Sequence, residues 1–210
     1  MNFDFRQHLG VVDRSVASHE RDGTSVRAVT LARTYDTTVD DLWDAATNSQ
    51  RLPRWFAPVE GELKLGGRFK IQGNAEGTIR DCEPPSFLSM TWEYGGETSW
   101  VEVRMAREGS DRSRLTLTHH VPVNEHWKKY GPGAVGVGWE LGLAGLERHL
   151  SDVTADLMDE QAFWASPEGK AFMSGSGKAW GEAHVEAGTE TTEQAHAAAA
   201  ATVAAFTGDA

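Results

Sequence analysis

The stretch that decides the fold lies between residues 38 and 92 and reads TVDDLW (38–43), LPRWF (52–56), LGGRF (65–69), GTI (77–79) and LSMTW (88–92). Its first part begins with a threonine followed shortly by two aspartates, which is typical of a helix N-terminus. Its second part is divided by glycines into short apolar runs, as in strands joined by tight turns. Because such turns connect neighbouring antiparallel strands, the order predicts two small helices followed by an antiparallel meander.

Strands and a long helix are predicted on both sides of this stretch. The pair Asp22-Gly23 favours a tight turn, so the segments 11–18 and 25–35 are expected to form an N-terminal hairpin. Further strands are expected up to His120, and apolar residues at helical spacing indicate a helix over 134–150. Glycines inside this helix indicate either close packing or a vacant volume beside a ligand, and the sequence leaves both interpretations open.

The end of the chain is predicted to be purely helical. Ser166-Pro167 favours the start of one helix and Gly188 its end, while Thr191 and Gln194 are spaced as a capping box for a final helix. Aromatic side chains on these helices need burial, so the helices are expected to pack against the rest of the protein. These aromatic residues are Phe163, Trp164, Phe172, Trp180 and Phe206.

Three segments are therefore predicted along the chain. Residues 1–25 form an N-terminal hairpin arm, residues 26–150 a central domain, and residues 151–210 an acidic helical extension packed on that domain. The extension alone carries 10 acidic and 2 basic side chains, out of a net charge of −11 for the whole protein.

Composition narrows the class of protein. Neither the domain nor the extension offers the basic face that nucleic acid or an anionic membrane requires, so neither is expected as a partner. There is no apolar run of roughly 18 residues, as a transmembrane helix would need, and no signal-peptide pattern at the N-terminus. Cys82 is the single cysteine of the 210 residues, which excludes an internal disulfide. A cytoplasmic protein is expected.

A set of positions spread over about 26–150 carries a family resemblance. In chain order these are Val39, Leu42-Trp43, Thr47, Leu52, Trp55-Phe56, Leu65–Phe69, Gly77, Glu83-Pro84, Leu88, Thr91-Trp92, Leu115–His119, Gly138-Trp139 and Leu146. With these residues the chain resembles the family of homologues of the activator of heat-shock protein 90 ATPase, within the START-like (SRPBCC) superfamily. Bacterial members similar to this chain carry comparable tails and mostly have no assigned substrate.

The resemblance implies an α+β helix-grip fold, in which a curved antiparallel sheet and a long C-terminal helix enclose a cavity. Superfamily members hold lipids, polyketides, hormones and other apolar molecules there, and a minority catalyse cyclisation or dehydration. The eukaryotic co-chaperone has a separate N-terminal domain in addition to the one resembled here. A short hairpin stands in its place in this chain, which argues against a chaperone partner without closing that alternative.

Strand alternation and the resemblance together suggest which residues line the cavity. Side chains at alternate positions of a strand share one face, so Leu88, Met90, Trp92 and Tyr94 are expected to face the long helix. His119 continues an apolar row on a neighbouring strand. It is expected to be a hydrogen-bonded structural histidine, with an acid or base role as the alternative. The predicted ligand-binding residues are Trp55, Phe69, Met90, Trp92, Tyr94, His119, Trp139 and Leu143.

The facing of one strand decides how polar the cavity would be. Val101, Val103 and Met105 alternate with Trp100, Glu102 and Arg104. The apolar set is expected to face inward, leaving Glu102 and Arg104 as a solvent-exposed ion pair of little energetic value. With the opposite facing, Trp100, Glu102 and Arg104 would line the cavity and favour a polar ligand.

No catalytic residues, cofactor or metal site are predicted. His119 and His120 are adjacent on a strand and point to opposite faces, so together with His126 they do not form a natural metal site. The leading hypothesis is therefore a protein that binds a small apolar or aromatic molecule. A cyclase- or dehydratase-type enzyme using the same cavity and a chaperone-related interaction module are the alternatives, and a homodimer is left open.

Overall fold

The structure, a computed structural model, describes residues 5–21, 23–154 and 157–208. Asp22 of the predicted first turn lies outside the described residues. The strands are β1 Asp13–Arg21, β2 Thr24–Tyr35, β3 Val59–Gly61, β4 Arg68–Ile71, β5 Glu76–Glu83, β6 Phe87–Tyr94, β7 Glu97–Arg107 and β8 Ser113–Pro122. The helices are α1 Phe5–Gly10, α2 Val39–Thr47, α3 Glu125–Tyr130, α4 Gly133–Ser151, α5 Glu160–Ala165, α6 Pro167–Ala187 and α7 Thr192–Thr207, with a short 3-10 helix at Leu52–Arg54.

The strands form one sheet in the order β1-β2-β8-β7-β6-β5-β4-β3. Each of the strands β3 to β6 pairs with its successor in antiparallel fashion, as short connections require. The predicted meander and the α+β helix-grip class, with a curved antiparallel sheet and a long helix towards its C-terminal end, are thereby confirmed.

Helix ends follow the local sequence closely. Thr38 caps α2 by accepting a hydrogen bond from the Asp41 backbone N–H at 3.3 Å. Ser166 caps α6, and Gly188 ends it in the left-handed conformation that glycine adopts without strain. The predicted capping box of α7 between Thr191 and Gln194 is confirmed in both directions.

Short helices differ from the prediction. A helix over residues 49–55 was expected, but only the 3-10 turn Leu52–Arg54 forms, because Pro53 lacks the N–H that a longer α-helix needs. The six-residue helices α1 and α3 were not predicted, and α5 lies in the segment predicted to be helical but had no predicted bounds of its own. They are too short to show helical periodicity in the sequence.

Contacts divide the chain into two compact units. Unit 1 comprises Met1–Leu31, His120–Ala144 and Met158–Ala210, and unit 2 comprises Ala32–His119 and Gly145–Leu157. The division into residues 1–25, 26–150 and 151–210 follows the sequence rather than these contacts, and it remains a prediction.

In unit 1 the extension packs through its aromatic side chains. Trp180 and Phe172 of α6 and Phe163 of α5 are buried, and the Phe163 ring lies 4.4 Å from that of Phe5 in α1. Trp164 remains 42% exposed, although it was expected to need burial. Burial of the other rings supplies the apolar area that anchors this part of unit 1.

Glycines in α4 have two different roles. A Cβ on Gly136 would overlap the indole of Trp180, and one on Gly145 would lie 2.6 Å from the Trp55 carbonyl oxygen. At Gly138, a Cβ would meet no heavy atom of the described residues within 4 Å. Close packing therefore explains Gly136 and Gly145, while Gly138 faces open space.

Candidate ligand-binding site

The register between β6 and β7 determines which side chains share a face. Met90 lies opposite Val101, Trp92 opposite Ser99, and Leu88 opposite Val103. Directly opposed residues of an antiparallel pair point to the same side of the sheet. Leu88, Met90 and Trp92 therefore share the face of Val101, Val103 and Met105, which are buried. That this face lies against the long helix stays a prediction.

The other face of the same strands carries the polar set. Thr91 pairs with Trp100, Ser89 with Glu102, and Phe87 with Arg104. The Arg104 guanidinium lies 4.1 Å from the centre of the Phe87 ring and 3.5 Å from Glu102, with most of its side chain in solvent. Trp100, Glu102 and Arg104 thus do not line the apolar face.

An apolar cluster in unit 2 forms the centre of the candidate site. Phe69 and Ile71 of β4 and Ile79 of β5 are buried, each no more than 6% exposed. Eight further hydrophobic side chains pack against these three but stay only partly buried. They are Phe56, Ala57, Val59, Leu63, Cys82, Leu88, Met90 and Trp92.

A glycine in β5 allows Phe69 to lie across the sheet. Gly77 pairs with Phe69, and a Cβ at Gly77 would lie 3.0 Å from Phe69 Cε1 and would overlap the carbonyl oxygen of Thr91. The ring of Phe69 comes within 6.4 Å of the Trp92 ring, measured between centroids. Two of the predicted binding residues are thus brought together over a position that only glycine fits.

His119 is attached to this face through Ser99. The imidazole is buried, its Nε2 lies 2.8 Å from Ser99 Oγ, and its ring is 5.9 Å from that of Trp92. Ser99 Oγ also donates to the Trp92 carbonyl oxygen at 3.1 Å. Because a hydroxyl carries a single hydrogen, this bond leaves Ser99 Oγ as the acceptor for a proton on His119 Nε2. The pair forms a polar group at the edge of an apolar surface.

The remaining predicted residues lie elsewhere. Tyr94 ends β6 opposite Glu97 and is 65% exposed. Trp139 and Leu143 belong to unit 1, where Leu143 is buried and Trp139 is half-buried. Their place in a common site therefore remains a prediction.

Trp55 has an anchoring role in unit 2. Its indole Nε1 donates to the Ala45 carbonyl oxygen at 3.0 Å, and its own carbonyl lies against Gly145 of α4. Its ring is 5.4 Å from that of Phe56, which belongs to the partly buried set. Trp55 thus fixes the segment that carries Phe56 and Ala57.

A charged cluster reinforces this anchor. Arg51 donates to Asp41 at 2.7 Å, to Asp44 at 3.0 Å and, through Nε, to His149 Nε2 at 3.1 Å. Burial opposes ionisation of Asp41, but hydrogen bonds from Thr37 and Arg51 outweigh it and lower the pKa of this carboxyl.

His149 is held in its neutral form by the same cluster. Burial, together with the charges of Arg51 and Arg54, lowers the pKa of its imidazole, as acceptance of a hydrogen bond from Arg51 requires. Arg51 therefore links α2 and the 3-10 turn to the C-terminal end of α4.

The sequence contained signals for some of the contributors that were not predicted. Gly95-Gly96 is a two-residue hairpin turn that sets Tyr94 opposite Glu97. Two residues further from the turn on each strand, the same register places Ser99 opposite Trp92. Cys82 was considered only for its redox chemistry. It lies three residues after Ile79 and is therefore out of phase with it, but the strand register shifts between Ile79 and Asp81, and Cys82 packs against the same cluster. Phe56, Ala57 and Leu63 lie outside the predicted strands and helices or at their ends, where alternation gives no signal.

Metal-ligating clusters and membrane-spanning helices are both absent from the described residues. Within the described ranges, no three His, Cys, Asp or Glu side chains come together as a set that could hold an ion. Likewise, no helix in the part of the chain that the structure describes is both long and apolar enough to cross a membrane.

A half-buried apolar face on a curved antiparallel sheet, with a long helix, is the design of START-like helix-grip proteins. A family model described as activator of Hsp90 ATPase homolog 1-like protein matches residues 36–151, more than half of the chain. The chain belongs to this family. No curated protein matches it.

Solved structures agree with this assignment. The crystal structure of CalU16 from Micromonospora echinospora is 33% identical, covers 82% of this chain and 97% of its own, and has a TM-score of 0.68. The solution structure of CalU16 is 30% identical, with coverages of 84% and 96% and a TM-score of 0.66. DynU16, from the dynemicin biosynthetic locus, is 19% identical, with coverages of 62% and 51% and a TM-score of 0.53, which shows the fold alone.

Proposed function

We propose that this protein binds a small apolar or aromatic molecule on the apolar face of β4 to β7 in unit 2. Phe69, Met90 and Trp92 provide the contact surface. Ser99 and His119 provide the polar group that orients the ligand.

The observation that carries the proposal is the incomplete burial of the apolar residues on this face. Large side chains of a protein core pack to crystal-like density and are buried on all sides. Here, eight hydrophobic side chains contact a buried cluster and yet keep part of their surface accessible. An apolar lining with few polar groups is typical of small-molecule sites.

One polar pair beside Trp92 is suited to ligand orientation. Ser99 and His119 have both donor and acceptor atoms, and His119 is only 3% exposed. A hydrogen bond made to a ligand at such a site is shielded from water and contributes more to discrimination than to affinity. We therefore expect preference for an aromatic ligand with one hydroxyl or carbonyl group.

The comparisons support a binding role at the level of the superfamily. The matched family and CalU16 share the fold over most of the domain, and DynU16 comes from a biosynthetic locus.

Trp92 and Trp100 offer a matched test of this proposal. Both are half-buried tryptophans on adjacent strands, but they lie on opposite faces of the sheet. Binding of 1-anilinonaphthalene-8-sulfonate, and its displacement by a panel of phenols and aromatic ketones, is measured by fluorescence for the wild type, Trp92→Ala and Trp100→Ala. Loss of the Trp92 contact is expected to weaken binding about 10-fold or more, from roughly 1.5–3 kcal/mol of lost burial.

The control variant decides whether the face is specific. Trp100→Ala is expected to leave Kd within about twofold of the wild type, since its ring lies on the other side. A second readout is the alkylation rate of Cys82, which packs against the same cluster and should fall when a ligand is bound. Equal weakening by both substitutions, or no displacement by any aromatic compound, would rule out the proposed site.

A further inference from the structure

Helices α4 and α6 of unit 1 pack in antiparallel fashion with glycine at the contact. Gly136 lies beneath the indole of Trp180, and a Cβ there would be 2.7 Å from Cδ2 and closer still to Nε1. Gly131, just before α4, lies against His184, with 3.0 Å from its Cβ position to Nδ1. As residue numbers rise along α4, those of the contacting residues therefore fall along α6.

This antiparallel arrangement brings Glu140 level with Ser176. Glu140 is one turn beyond Gly136 on the same side of α4, and Ser176 is one turn before Trp180 on the same side of α6. All three polar residues, Glu140, Ser176 and Trp180, are completely buried in unit 1. Two facing helices thus bring Glu140 and Ser176 to one level of the contact, with Trp180 one turn away on α6.

The charge of Glu140 is already compensated. Arg14 of β1 forms an ion pair with Oε1 of Glu140 through its Nε. The same guanidinium donates to the carbonyl oxygens of Val12 at 2.9 Å and Leu9 at 3.1 Å. One side of the carboxylate is therefore satisfied, and neither an additional cation nor an anion is required for charge balance.

One polar atom of each residue remains without a hydrogen-bond partner among the described residues. These atoms are Glu140 Oε2, Ser176 Oγ and Trp180 Nε1. Buried polar groups in folded proteins are almost always hydrogen-bonded to protein or to ordered water, because leaving them unpaired is costly. A shared partner between these neighbouring turns would satisfy all three.

The chemistry of the three atoms selects that partner. The indole N–H can only donate, the ionised carboxylate can only accept, and the hydroxyl does either. A cation is disfavoured by the indole donor, and an anion by the carboxylate. Water, with two hydrogens and two lone pairs, matches the set, and buried waters typically make about three hydrogen bonds.

We propose that one buried water molecule binds between α4 and α6, accepting from Trp180 Nε1–H, donating to Glu140 Oε2 and exchanging its third hydrogen bond with Ser176 Oγ. This water joins the C-terminal extension to α4 and allows an ionised glutamate to remain inside unit 1. The site is independent of the ligand-binding proposal.

The test uses the full-length protein labelled with 15N. Magnetisation transfer from water to the Trp180 indole N–H, measured by paired NOE and ROE spectra, is expected to show the sign of a long-lived bound water. The matched control is Trp127, which is also buried and whose Nε1 donates directly to Glu190 at 3.2 Å. Its indole N–H is expected to show no such transfer.

The variant Ser176→Ala distinguishes two sources of the Trp180 signal: a bound water molecule, and hydrogen exchange relayed through the serine hydroxyl. We expect the Trp180 signal to persist in this mild variant, because Glu140 and Trp180 still hold the water. Its disappearance in Ser176→Ala, or its absence in the wild type, would overturn the proposal. A crystal structure gives a second readout: solvent density within about 3.2 Å of all three atoms supports the site, and a direct Trp180–Glu140 hydrogen bond contradicts it.

Discussion

Two regions contain the same kinds of side chain but bury them to different extents. They are the contact between α4 and α6 in unit 1 and the apolar face of β4 to β7 in unit 2. In unit 1, Trp180 and Met173 are no more than 1% exposed. In unit 2, Trp92 and Met90 pack against a buried cluster but remain partly accessible. Residue type alone therefore does not distinguish a closed core from an incompletely buried apolar face; completeness of packing does.

The two regions also differ in how they treat polar groups. Unit 1 encloses a full ion pair between Arg14 and Glu140 and several polar side chains around it. The apolar face of unit 2 has a hydrogen-bonded polar pair, Ser99 and His119, at its edge. A buried ion pair demands a fixed set of partners, whereas a side-chain hydrogen bond of this kind can exchange one partner for a ligand at lower cost.

A substitution at a glycine of α4 tests how tightly α4 packs against α6 in unit 1. In Gly136→Ala, the new methyl group would overlap the Trp180 ring, which is fully buried and has no room to move. Overpacking of this kind is expected to lower the free energy of unfolding by about 2–3 kcal/mol, measured by urea denaturation.

Gly138→Ala is the matched control, two residues further along the same helix. Its Cβ would meet no described atom within 4 Å, so only the better helix propensity of alanine should act. A gain of about 1 kcal/mol is expected. If the two variants had equal stability, the close approach of Trp180 to α4 would be wrong.

Two methionines compare the regions directly. Met173→Ala in α6 removes a side chain that is 1% exposed, and a loss of about 3 kcal/mol is expected from the lost transfer energy and the cavity left behind. Met90→Ala in β6 removes a side chain that is already partly in solvent, and a loss of about 1 kcal/mol is expected.

The effects of the two methionine variants on ligand binding should rank in the opposite order to their effects on stability. Met90→Ala is expected to change binding of the fluorescent probe, and Met173→Ala is not, when both are measured below their unfolding transitions. Equal stability losses would mean that the apolar face of unit 2 is packed as tightly as the contact between α4 and α6.

Local signals in the sequence were sufficient for much of the fold and for part of the site. Thr38, Ser166 and Thr191 mark helix starts by capping chemistry, which depends on a few neighbouring residues. The facing of Met90 and Trp92 follows from strand alternation. Such features were predicted because their causes lie within a few residues along the chain.

Features that depend on distant contacts were not predicted. No sequence signal near Gly136 predicts its contact with Trp180, and none near Glu140 predicts its ion pair with Arg14. The partial exposure of Trp92 depends on which strands and loops pack beside it. Tertiary packing decides these outcomes, and the hydrophobic periodicity of a single sequence gives no signal for them.

A final contrast within unit 1 concerns the turn between α6 and α7. Glu190 accepts hydrogen bonds from Arg27 of β2 at 3.0 Å and Trp127 of α3 at 3.2 Å, and pairs with His184 of α6 at 2.5 Å. Thr189 also donates to it. Burial alone would raise the pKa of this carboxyl, but the hydrogen bonds from Thr189, His184, Trp127 and Arg27 outweigh it and lower the pKa to about 2.

Acid is therefore expected to loosen unit 1 through Glu190. The usual pKa of 4.5 applies in the unfolded chain, so the stabilisation is complete above pH 4.5 and is lost as the pH falls towards 2. The shift corresponds to roughly 3 kcal/mol, and partial exposure reduces the expected contribution to about 1–2 kcal/mol. Glu190→Gln should show this deficit in urea denaturation at pH 7 and approach the wild type near pH 2, whereas Gln at the exposed position Glu186 should show no deficit. A deficit that stays constant between pH 7 and pH 2 would mean that the charge of Glu190 contributes nothing to the stability of the turn.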